Sequence, residues 1–253
     1  MAQLMRTSNP ALSGDTFRTG EATYGDSMTI SGAVNKTGIL LICCVATAAW
    51  TWNRFFNAGS PEAAMQAIAP MMVVGGIGGF ILALVTIFKK EWSPITAPIY
   101  ALLEGLLLGG VSAMLDMRFH GIAIQAVALT FGTLVAMLVA YRTGLIKVTD
   151  KLRMGIVAAT GGIAVFYLLQ FVLGFFGVHF TTINGSSPIG IGFSLLVVVI
   201  AALNLVLDFD LIENGARMGA PKYMEWYGAF ALMVTLIWLY FEILRLLSKF
   251  RER

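Results

Sequence analysis

Charge is what this sequence has least of. Asp, Glu, Lys and Arg together make up 12% of its 253 residues, about half the share usual in a water-soluble domain. So little polar surface does not cover a globule of this length. A soluble enzyme or a nucleic-acid-binding domain is excluded, and the 58% apolar content indicates an integral membrane protein. Histidine and cysteine are scarce too, with two of each. Cys43 and Cys44 are adjacent inside one apolar run, where neighbours seldom form a disulfide and read as small packing residues. They have no zinc-site spacing. His120 and His179 fall in separate polar breaks and read as unrelated surface groups. No GxSxG elbow and no GxxxxGK[ST] phosphate loop occurs. The expectation is a protein that is not an enzyme and holds no cofactor or metal.

Seven apolar stretches are present, near Thr37–Trp52, Ala67–Phe88, Ile95–Leu115, Gly121–Tyr141, Gly155–Phe176, Pro188–Leu207 and Trp226–Leu247. Most hold about twenty residues, enough at ~1.5 Å each to cross a core of ~30 Å. The fold class is therefore all-α and polytopic, with seven transmembrane helices. Residues 1–35 are polar and contain Asn9-Pro10, Gly14, Gly20 and Gly25. They lack the early apolar core of a signal peptide and read as a mostly disordered tail. Residues 36–248 form the membrane domain and 249–253 a basic tail.

Basic residues are spread unevenly. Lys89, Lys90, Arg142, Lys147, Lys151, Arg153, Arg217 and Lys222 flank alternate breaks, and Arg6, Arg18 and Lys36 precede the first span. Seven crossings put all of these on one side. The other side has Arg54 and Arg118 in its loops. The positive side is cytoplasmic, which places the N-terminus inside, in an inner (cell) membrane. Seven crossings also send Arg245, Lys249, Arg251 and Arg253 outside, against that bias. Two glycine patterns, Gly75–Gly79 and Gly105–Gly109, have the GxxxG spacing that lets helix backbones approach. They read as packing seams within one chain, and a monomer is favoured.

Acids at membrane depth are costly, about 2.5–3.5 kcal/mol each on insertion scales, and turn toward the bundle interior. In "LNLVLDFDLIENG", 203–215, Asp208 and Asp210 are two positions apart and point about 200° apart on a helix. Asp208 shares a face with Asn204, one turn away. Asp210 shares a face with Glu213, Asn214 and Arg217, the look of a solvated helix end. Glu104 lies deeper, in a polar stripe with Tyr100 and Ser112. Glu242 lies in the last span with Arg245 one turn on, the spacing of a local ion pair.

At "LDFDLIE" and "WLYFEILRLL" the chain resembles the Bax inhibitor-1/YccA, or transmembrane Bax inhibitor motif, family. Similarity to its bacterial branch extends to "SNPAL" (8–12), "VNKTGILL" (34–41) and "APKYMEWYGAF" (220–230). The resemblance implies a seven-helix bundle with the last helix central, surrounded by the other six. It also implies a facing acid pair, one at the end of helix six and one in helix seven, that senses pH and gates a calcium leak. Some members bind other membrane proteins, including proteases. By motif the pair is Asp208 and Glu242, although the family has aspartate in helix seven, closer in sequence to its partner.

Depth favours a different partner. With the last turn centred near residue 218, Asp208 and Glu242 lie ~21 Å apart along the helices, whereas Glu225 comes within ~5 Å of the depth of Asp208. Both pairings stay open. The same arithmetic places Glu104 near mid-membrane and brings Glu242 level with Gln170 toward the outer side. The acids then form a ladder: Asp208 and Glu225 inside, Glu104 central, Glu242 outer. A ladder of this kind suits a pH-sensitive leak for calcium ions or protons. The other reading is a non-transporting regulator that binds other membrane proteins, with the acids structural. In both readings the bilayer is the solvent and nucleic acid is no partner.

Overall fold

The computed structural model describes residues 27–177, 183 and 185–253. It is all-helical apart from loops and one isolated bridge between Ser27 and Pro221. Seven helices are long and apolar enough to cross a membrane. They are α1 (Ile30–Phe56), α2 (Pro61–Phe88), α3 (Ser93–Arg118), α4 (Ile122–Arg142), α5 (Asp150–Phe175), α6 (Pro188–Arg217) and α7 (Met224–Arg251). A multi-pass membrane protein follows, since helices satisfy their own backbone in lipid. The loops 89–92, 143–149 and 218–223 share the N face with Ser27. The C-terminus lies on the opposite C face with loops 57–60 and 119–121.

Helix starts carry local signals. Thr29, Ser60, Thr149 and Ser187 each accept a hydrogen bond from a backbone N–H three residues on, and Pro61 and Pro188 occupy first-turn positions. Thr29 caps α1 six residues before the expected tail boundary, so residues 30–35 are helical. At the other end α7 runs through 249–251, because Arg251 donates to the His120 carbonyl at 2.7 Å and holds the last turn. The rest of the polar tail, residues 1–26, and His179 lie outside the described residues.

α7 is the axis. It packs against α1, α3, α4 and α6, and 61% of its apolar window is buried against 11% for α5. The expectation of six neighbours is too many. α2 packs on α1 and α3, while α5 packs on α6 and reaches α7 through side chains. Two apolar cores divide α7. Phe230, Met233 and Ile237 face α1 and α3 with Tyr100 and Leu40. Leu232, Leu236, Leu239 and Ile243 face α4 and α6 with Ala126, Leu205 and Phe209.

The glycine patterns are internal seams. A side chain at Gly75 would meet the Leu103 carbonyl at 2.5 Å, and one at Gly79 would meet the Glu104 carboxyl at 2.7 Å. Side chains at Gly105 and Gly109 would collide with the Cys44 and Ala48 carbonyls of α1. Backbone-to-backbone contact therefore locks α1, α2 and α3 together.

Candidate functional site

α6 and α7 meet along a stripe of small and polar residues spaced by seven. On α6 these are Ser194, Ala201, Asp208 and Gly215; on α7 they are Gly228, Thr235, Glu242 and Lys249. The helices are antiparallel, so the stripes pair in layers. Lys249 Nζ donates to Ser194 Oγ at 2.9 Å. The Thr235 hydroxyl faces the Asp208 carboxyl. Met28 lies beside Gly215 and Gly228, where an added side chain would meet it at 2.9 and 3.6 Å. This register places Ala201 opposite Glu242. A seven-residue repeat keeps one face of each helix on the seam for its whole length.

Asp208 lies inside this seam, nearer the N-face end of α6 at Arg217 than the C-face end at Pro188. Its Oδ2 is the only buried side-chain oxygen or nitrogen among the described residues without a hydrogen-bond partner. Buried polar groups are normally paired, so the orphaned carboxyl oxygen singles out this position. One turn along, Asn204 donates to Thr160 Oγ1 of α5 at 2.8 Å and to the Ile200 carbonyl.

Two thirds of the way along α7 the seam is stoppered. The Tyr167 hydroxyl of α5 donates to Glu242 Oε1 at 2.9 Å. Arg245 Nη1 reaches that hydroxyl at 2.5 Å and the Glu242 carboxylate at 3.3 Å. Beyond it, buried Lys249 also donates to the carbonyls of Gly190 and Ile183. An open pocket of about 910 Å³ adjoins this stopper on the C face, lined by Gln170, Arg245, Ser248, Lys249 and Glu252 among others. At the N face Asp210 pairs with Arg153 at 2.5 Å. Glu213 pairs with Arg217 at 2.5 Å and accepts from the Tyr141 hydroxyl at 2.6 Å.

The structure separates several residues that sequence reasoning brought together. Glu225 is fully buried but does not meet Asp208. It accepts from Thr29 through both N–H and hydroxyl at 2.9 Å, and it pairs with Lys36 and Lys222. Lys36 also lies 5.5 Å over the Trp226 ring. Gly32 is needed here, because a side chain would collide with the Glu225 carboxylate. The turn between α6 and α7 is centred beyond residue 218, since α6 runs to Arg217 and Gly219 stops it with φ 66°. Asp208 is thus level with Thr235, ten residues (~15 Å) from Glu225 and seven (~10 Å) from Glu242. Neither proposed pairing is a direct contact.

The ladder changes as well. Ser112 bonds the Tyr240 hydroxyl at 2.8 Å, and Tyr100 stacks edge-on against Phe230 at 5.0 Å. Parallel α3 and α7 in this register bring Glu104 to nearly the depth of Asp208. Its side is the opposite one, however. Glu104 lies under Gly79 among α1–α3, and Met233 and Thr235 on α7 point about 200° apart. Gln170 lines the C-face pocket while Tyr167, three residues earlier, takes Glu242. That position was missed. Its signal is the seven-residue spacing of Arg153, Thr160 and Tyr167, which turns one polar edge of α5 toward α6 and α7.

A family model described as Bax inhibitor 1 like matches residues 9–252. No curated protein and no solved structure matches the chain. With a family match over nearly its whole length and a seven-helix bundle built around its last helix, the chain belongs to the Bax inhibitor 1 like family.

Proposed function

We propose that the protein is a pH-sensitive leak for cations, calcium ions or protons, and that the α5–α6–α7 seam is its path. The observation that carries this reading is the partnerless Asp208 oxygen inside a polar seam. Hard cations seek oxygen ligands, and a proton competes for the same carboxyl. The Asp210–Arg153 pair stands at the N-face mouth, and the C-face pocket stands at the other. Met28 and the Tyr167–Arg245–Glu242 stopper shut the seam at its two ends, so this conformation is the closed one. The lysine- and arginine-rich N face is assigned to the cytoplasm of an inner membrane.

The test is cation flux in liposomes holding the purified protein, measured across a pH series. Asp208→Asn should abolish most of the pH dependence, and Asp210→Asn should leave it in place. Equal effects of the two substitutions would remove Asp208 from the path. No flux above empty liposomes under any condition would favour the regulator that binds other membrane proteins.

A further inference from the structure

α1 and α4 flank α7 on adjacent sides yet form no packed interface with each other. Between them runs a fissure whose floor is Phe209, Ile212 and Glu213 of α6 with Leu232 near the N face, and α7 farther in. Near the N face it is a cavity of about 370 Å³ with Val34, Gly38, Leu134, Leu138 and Arg142 in its walls. Farther in it narrows to about 130 Å³ between Cys44, Ala48, Val127 and Phe131. Leu41 lines both parts. From Arg142 to Val127 the α4 wall is fifteen residues long, ~22 Å at helical rise. That exceeds one leaflet, about half of a ~30 Å core.

The occupant follows from size and charge. One turn of a helix ~10–12 Å across occupies more than ~400 Å³, above the volume of either part of the fissure, whereas a single hydrocarbon chain fits. At the mouth, Arg142 ends α4 exposed on the N face. No hydrogen bond or ion pair with the described residues engages it, unlike Arg153 and Arg217 nearby. The one carboxylate in the same cavity, Glu213, is already taken by Arg217 and the Tyr141 hydroxyl, so Arg142 is a cation left over above an apolar slot, complementary to a phosphate carrying an acyl chain. Gly38 keeps the slot open: nothing lies within 4 Å of where its side chain would be.

We infer that the α1/α4 fissure is a binding site for one anionic phospholipid, with an acyl chain along α7 and its phosphate on Arg142. The site lies on a different face of α7 from Thr235 and Glu242, so it stands apart from the proposed path.

The experiment uses full-length protein, stripped of lipid in detergent and titrated with dioleoyl phosphatidylglycerol under native mass spectrometry. The wild type should hold one lipid tightly. Arg142→Gln should weaken that first binding about fivefold, as expected for one surface cation near an anionic headgroup. Lys147→Gln should not weaken it. Gly38→Phe should abolish it by filling the slot, and Gly38→Val is the smaller filler should the larger one misfold. Glycerol phosphate alone should not compete. The inference is overturned if the wild type binds no better than Gly38→Phe, if Arg142→Gln and Lys147→Gln behave alike, or if glycerol phosphate competes. It is also overturned if a Leu138→Cys chain lacking Cys43 and Cys44 cross-links to a second copy at that position.

Discussion

The α1–α3 side and the α5–α7 side of this bundle are joined by opposite means. α1, α2 and α3 meet through glycines, with backbone against backbone and no space for a side chain at those positions. α5, α6 and α7 add side-chain hydrogen bonds to their apolar contacts, with an unsatisfied oxygen among them. The first kind of contact has one arrangement. The second can exchange partners, because a hydroxyl, a carboxyl and a guanidinium each accept alternatives, water included. Function that requires opening belongs on the second side.

The harshest test of the contrast is steric. Gly109→Leu should cost at least about 3 kcal/mol, since overpacking here drives a side chain into the α1 backbone. Gly174→Leu, on α5 with nothing within 4 Å of the new Cβ, should stay within about 0.5 kcal/mol. Thermal unfolding in detergent reads both, and similar losses would erase the distinction.

Next in size is Glu225→Gln, at the joint of the two sides. It leaves Lys36 without its buried counter-charge, which costs about 3–5 kcal/mol in a dry site. The Lys36 side chain is 17% exposed, so about 2 kcal/mol is expected here. Unfolding midpoints would measure it, and Glu225→Asp should restore only part because the shorter acid cannot reach every donor. Full stability of Glu225→Gln would show that the ion pair is idle.

On the polar side, Tyr167→Phe should cost about 1 kcal/mol, the net worth of a hydrogen bond. It should also raise cation flux in liposomes by loosening the Glu242 stopper. A drop in flux would make Tyr167 part of the conducting route instead. The smallest effect belongs to Asp210→Asn. Its partner Arg153 has a half-exposed side chain, and such surface pairs contribute about 0–1 kcal/mol. A large loss there would mean that α5 hangs on this one contact.

The spans were legible because hydropathy over twenty residues is a one-dimensional signal, and α1–α7 enclose nearly all of the expected stretches. Helical angle likewise separated Asp208 from Asp210, which face the seam and Arg153 respectively. Depth across two helices was not legible. It depends on how long α6 continues before Gly219 and on the loop that follows, and an error of three residues moved Glu225 from beside Asp208 to ~15 Å away. Glu104 shows the other gap. Its depth could be counted along its own helix, but which side of α7 it occupies depends on which helices are neighbours. The stripes at 194/201/208/215 and 228/235/242/249 were readable in principle, yet alanine, glycine and threonine carry little weight when acids are being sought.

The Glu225 knot has a consequence for the order of assembly. Thr29 and Glu225 are 196 positions apart, so the first helix meets its counter-charge only after nearly the whole chain has been made. Until then α1, α2 and α3 can nest on their glycines, leaving a trough where α7 will lie and Lys36 waiting at its rim. The last helix enters as the keystone, and its first turn latches onto the start of α1. A ribosome-bound chain stopped before residue 224 should therefore expose that trough, and release of the final segment should be the step that makes the bundle resistant to protease.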